Sequence, residues 1–184
     1  MDFRVTGLSP DLFKPIFTLE DAALARLGAQ RAIADDAVSF PCRVSLEHAA
    51  PGEELILLSF EHQGAHSPYR ASGPIFVRKA AAIAFDAVNT IPDPVRTRLL
   101  SVRAYDANDL IVEADVVDGK ELEASIDAFF HREDVHYLHL HYARRGCFAC
   151  RVDRLGVSRL NNQEQALARL SSHLCSEKLA SARV

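Results

Sequence analysis

Between His136 and Arg154 the chain reads HYLHLHYARRGCFACRVDR, with apolar and chemically capable side chains alternating almost residue by residue. Only an extended backbone, whose side chains point to opposite sides in turn, sorts such a pattern onto two clean faces. The run is broken once, by Arg144-Arg145-Gly146, a three-residue loop ending in the residue that best tolerates a left-handed backbone. A hairpin is expected, with Ala143 opposite Cys147, His141 opposite Ala149 and His139 opposite Arg151. One face then carries Tyr137, His139, His141, Cys147, Arg151 and Asp153. The other carries His136, Leu138, Leu140, Tyr142, Phe148, Cys150 and Val152, and is the face to bury.

The same alternation limits the chemistry. Cys147-x-x-Cys150 has the spacing of half a zinc knuckle, but on a strand residues three apart point to opposite faces. Cys42 and Cys175 stand alone and complete no zinc template, so all four cysteines are expected reduced, with Cys150 in the core. His139 and His141 share a face, as neighbouring metal ligands on a strand would. They are the metal candidates, against the commoner role of lining a polar groove. Cys147, near Arg144 and Arg145 and diagonal to His141, is a candidate nucleophile, because nearby cations favour the thiolate. Candidate catalytic residues are thus His139, His141 and Cys147. No cofactor signature accompanies them, and no glycine-rich phosphate loop follows any strand.

Upstream, residues 3–6, 54–61 and 74–78 read as strands, the last opening on a proline where it costs least. Residues 62–73, containing SPYRASG, read as a loop. Residues 99–105 and 110–116 form a second hairpin around Asp106-Ala107-Asn108-Asp109. Thr18 is placed as the cap of a short helix ending at Gly28, and residues 119–130 as an amphipathic helix with Leu122, Ile126, Phe129 and Phe130 inside. The alanine-rich stretch 80–88 is open between a helix and an irregular crossing. Strands joined mostly by hairpins predict an α+β fold with a mainly antiparallel or mixed sheet and a few flanking helices. Residues 1–155 are read as one α+β domain, and 156–184 as a C-terminal helical extension. In that extension Leu167, Leu170 and Leu174 make an apolar stripe that packs back on the domain or joins two copies as a homodimer.

Of the 21 basic residues 17 are arginine, a bias with two sources. A coding preference for Arg and Ala is one. The other is recognition of carboxylates or phosphates, which the planar guanidinium grips by two bonds. In the second hairpin Ser101, Arg103 and Tyr105 point away from Leu100 and Val102, mirroring the polar face of the last hairpin. If both hairpins share a sheet, Arg103, His139, His141, Cys147 and Arg151 line one surface, and the SPYRASG loop brings Tyr69 and Arg70 over it. Such a place suits a small anionic ligand, and Arg70, Tyr69, Arg103 and Arg151 are its candidate binding residues. An enzyme using His139 or His141 with Cys147 or a metal, and an interaction module without chemistry, remain open beside it.

A net charge of −4 gives no nucleic-acid footprint. No apolar run is long enough to span a bilayer, and the N-terminus, MDFRVTGLSPDLF, lacks the basic-then-apolar order of a signal peptide. No membrane partner and a cytoplasmic location are therefore expected.

Five blocks carry a resemblance: FRVTGL at 3–8, FPCRVSLEHAAPGEELILLSFEH at 40–62, SPYRASGPIFVR at 67–78, RLLSVRAYDA at 98–107 and HLHYARRGCFACRVDR at 139–154. Together they resemble the bacterial domain-of-unknown-function family numbered 1203, over about residues 1–155. The resemblance implies the extent of the domain, with the helical tail as an addition. It implies no activity, and so no catalytic residues.

Overall fold

The structure, a computed structural model, describes residues 1–155. Nine strands run in the order β1 (Phe3–Thr6), β2 (Gln30–Ile33), β3 (Glu54–Gln63), β4 (Ala71–Arg78), β5 (Asp86–Val88), β6 (Leu99–Tyr105), β7 (Ile111–Asp118), β8 (Tyr137–Tyr142) and β9 (Phe148–Arg154). Four short helices accompany them: α1 (Lys14–Phe17), α2 (Asp21–Arg26), α3 (Asp93–Arg96) and α4 (Leu122–Phe130). The strands form two antiparallel sheets, six-stranded in the order β5-β1-β9-β8-β6-β7 and three-stranded in the order β2-β3-β4. This is the α+β, mainly antiparallel fold that the hairpin pattern predicts. Among the described residues no helix is long and apolar enough to cross a membrane. The apolar stripe at Leu167, Leu170 and Leu174 lies outside them.

Each face of the large sheet has its own cover. Val102, Leu138, Leu140, Cys150 and Val152 point to one side and pack against Leu122, Ile126, Phe129 and Phe130 of α4. On the other side lies the small sheet. Ile56, Leu58 and Phe60 of β3, with Ile75 and Val77 of β4, share a second core with Phe148 of β9 and with Leu12, Phe13 and Ile16. The molecule is thus layered as helix, large sheet and small sheet, each interface built from alternate residues of its strands.

Several local readings shift. The strand expected at 54–61 continues to Gln63, and its partner starts at Ala71 rather than at Pro74, so both ends of the expected loop belong to strands. Thr18 closes α1 instead of capping α2, which starts after Glu20. The helix expected over 119–130 begins with a tight turn at Gly119–Glu121. Residues 80–85 cross without regular structure before the short β5.

The last hairpin is β8–β9 as expected, and His139 faces Arg151. Its end differs. The loop is one residue longer, closed by Tyr142 N donating to Cys147 O at 2.9 Å and by Gly146 at φ 74°. Ala149 is an extra residue, because Leu140 pairs with Cys150 while His141 pairs with Phe148. That bulge reverses the parity of the strand, as bulges do. Phe148 therefore joins the histidine face in the position expected for Cys147.

Candidate functional site

His139 and His141 are at alternate positions of β8 and point away from α4, toward the small sheet. From that sheet comes His62, on the same side of β3 as Ile56, Leu58 and Phe60, at the register shift between Glu61 and Gln63. The three rings meet. Centroids are 6.1 Å apart for His62 and His139, 5.0 Å for His62 and His141, and 6.3 Å for His139 and His141. One nitrogen from each lies within 4.8 Å of those of the other two. Phe148 stacks on His62 with interplanar angle 1° and centroids 5.1 Å apart, and meets His139 and His141 in T-shaped contacts at 75° and 80°.

These imidazoles are buried without a full set of partners. His139 and His141 are closed off from solvent and His62 is half-buried, yet His62 Nδ1, His139 Nδ1 and His141 Nε2 have no hydrogen-bond partner. Buried polar atoms are normally satisfied, so three orphans in one cluster need an explanation. His141 Nδ1 lies 3.0 Å from the Gly146 carbonyl oxygen. A carbonyl only accepts, so Nδ1 carries the ring proton and Nε2 faces the cluster as a bare lone pair. Burial holds all three rings neutral: His62 falls to about 4, His141 to about 3, and His139 well below its ordinary value, with the Arg103 charge adding to each.

Around the rings lies a shell of polar groups. Arg103 faces His139 across the β6–β8 ladder and Ser101 faces His141. Gln63 Nε2 donates to the Tyr137 hydroxyl at 2.7 Å, which in turn donates to Asp109 Oδ1 at 2.6 Å. Tyr105 stacks on Tyr137 with ring centroids 4.9 Å apart, and burial raises its phenol above the ordinary value while the Arg103 charge opposes that shift. Burial and the Asp109 carboxylate push the Tyr137 phenol far up, so it stays a donor.

The other residues singled out from the sequence lie as follows. Arg151 spreads over the Tyr137 ring at 3.7 Å and donates to Asp153 at 2.8 Å. Arg70 pairs with Glu61, its Nη2 at 2.6 Å, and Tyr69 is exposed beside it. The SPYRASG loop is tied to the β6–β7 turn by Ser67 Oγ donating to the Asp109 carbonyl at 3.2 Å. The Cys147 thiol lies 3.9 Å from the Arg145 carbonyl and within the field of the buried Arg43, on the side of Tyr142. Among the described residues no thiol–imidazole hydrogen bond joins it to His141. Cys150 is buried in the α4 core, where desolvation pushes its thiol up to about 12. Cys42, Cys147 and Cys150 are free thiols. A separate cleft of about 330 Å³, lined by Ser45, Glu47, Arg78 and residues 80–85, involves none of these groups.

The sequence reading missed His62 and Gln63 by assigning them to a loop. The signal was present: Ile56, Leu58, Phe60 and His62 keep strand parity past the point where the apolar run ends.

Fold and site together define a two-sheet α+β protein whose interior gathers three histidines from both sheets. The chain belongs to the family described as "Protein of unknown function (DUF1203)", which it matches over residues 39–154. That stretch holds every residue of the cluster and its shell, while β1 and the first two helices precede it. No curated protein and no solved structure proved similar to the chain.

Proposed function

We propose that the protein binds a divalent transition-metal ion through His62, His139 and His141. The observation that carries this reading is the convergence of three neutral, buried imidazoles with unpartnered nitrogens, one of them fixed by a backbone carbonyl in the tautomer that a metal ligand needs. Three histidines with a fourth position open form a recurrent catalytic zinc set, and imidazole nitrogen suits zinc, copper, nickel and cobalt alike. Zn–N bonds of about 2.0–2.1 Å put tetrahedral ligand nitrogens roughly 3.3 Å apart. Small ring rotations draw the cluster, now spanning up to 4.8 Å, onto an ion. Cys147 is not among the converging ligand atoms, and its thiol lies toward the Arg145 carbonyl instead. A small anionic ligand gripped by arginines alone is less well supported, because Arg70 and Arg151 already hold carboxylates.

The test is metal content. Protein stripped with chelator and reloaded with zinc should hold one ion per chain by plasma emission. His139→Ala and His62→Ala should each lower affinity at least 100-fold, since every ligand is one of only three. Loading that survives both substitutions would remove this reading and favour a polar core without chemistry.

A further inference from the structure

The charge and exposure around the three histidines point to what completes such a site. Resting on the metal reading above, we propose that a small oxyanion, a carboxylate or a phosphate, occupies the open coordination position with Arg103 gripping its outer oxygens. Three neutral imidazoles contribute no negative charge, and the ligand group contains no Asp, Glu or Cys. A divalent ion there would carry its full double charge, and Arg103 adds another, since its field reaches His62, His139 and His141. The nearby carboxylates are engaged elsewhere, Asp153 on Arg151, Asp109 on Tyr137 and Glu61 on Arg70. Excess positive charge in a partly desolvated place draws an anion from water.

The way in lies on the same side. Arg103 pairs with Ala114 of β7 and Ser101 with Val116, so these four side chains share the histidine face of the sheet. Val116 is 56% exposed and Ala114 is exposed, so the small sheet leaves this corner of the large sheet uncovered. Neighbouring strands are about 4.8 Å apart, which places Arg103 one strand from His139 and between the cluster and open solvent. An anion entering over Ala114 and Val116 meets the guanidinium first and the metal position next. Arg103 and Tyr105 stand at alternate positions of β6 on that same face, where Tyr105 packs on His139 with ring centroids 4.9 Å apart. A planar guanidinium fork matches the paired oxygens of a carboxylate or phosphate.

Cobalt(II) makes both layers visible. The full chain loaded with cobalt should give a visible ligand-field band, and adding acetate or inorganic phosphate should shift that band saturably. Whichever of the two probes acts at the lower concentration identifies the oxyanion class. Arg103→Gln should raise the half-saturating concentration by about ten-fold or more, and Arg103→Lys, which keeps the charge without the fork, should fall between. The lysine variant also separates lost recognition from lost folding. If wild-type protein gives a cobalt band that neither anion perturbs, or if Arg103→Gln responds like wild type, this inference falls and the metal reading stands. If wild-type protein gives no cobalt band at all, both fall.

Discussion

At the scale of single residues, the histidines carry a stability signature that needs no metal. In the unfolded chain an imidazole titrates near 6.5, whereas in the fold His62 falls to about 4, His141 to about 3, and burial holds His139 well below its ordinary value. As pH drops through 6.5 the unfolded state therefore takes up protons that the folded state refuses. Stability present above 6.5 is lost as pH falls, by about 1.4 kcal/mol per pH unit for each buried ring until its folded value is reached. Metal-free protein should thus melt at progressively lower temperature between pH 6.5 and 5, a window above the range in which carboxylates titrate. His141→Gln should flatten that slope. A melting temperature constant across the window would show that the rings are hydrated and charged. The same low dielectric explains why Cys150 is an inert core thiol while Cys147, half-exposed beside Arg43, is accessible.

At the scale of elements, parity decides which side chains meet, and two irregularities set it. One is the bulge at Ala149, which turns Phe148 onto the histidines while Arg43 Nε donates to its carbonyl at 2.8 Å. The other is the register shift that delivers His62. A third close fit lies at Gly7, just past β1, where an added Cβ would fall 2.0 Å from the Val44 carbonyl oxygen. Gly7 N also donates to Phe85 O and Leu8 N to Arg43 O, so the two segments are tied together where the Cβ would intrude. Gly7→Ala should lower stability by about 2 kcal/mol or more in urea melts, through overpacking against backbone. An unchanged midpoint would mean that the 43–46 segment gives way freely. Regular elements were legible in the sequence for the same reason that these features were not. The alternation in LHLHY and in LLSVRAY states a strand, a face and the His139–Arg151 pairing outright. A bulge carries no composition of its own, so Phe148 and Cys147 exchanged roles without any mark in the residues. His62 was hidden by a glycine and a proline a few positions downstream, which suggested a loop before the strand had ended.

At the scale of the whole molecule, the cluster joins two layers that also touch through apolar packing and the Gln63–Tyr137 hydrogen bond. His62 belongs to the small sheet, and His139 and His141 to the large one. An ion bound by all three would cross-link the sheets, and ligand binding to the folded state alone raises its stability by mass action, about 2.7 kcal/mol at a hundred-fold excess over the dissociation constant. The gain should be shared between the layers rather than local to the hairpin. In amide hydrogen exchange, zinc-loaded protein should protect β3 and β4 as strongly as β8 and β9. In His62→Ala any remaining zinc should protect only the β8–β9 hairpin, because the bridging ligand is gone. Protection confined to β8 and β9 in the wild-type protein would show that the small sheet contributes nothing to the site, and that His62 approaches the other two rings by packing alone.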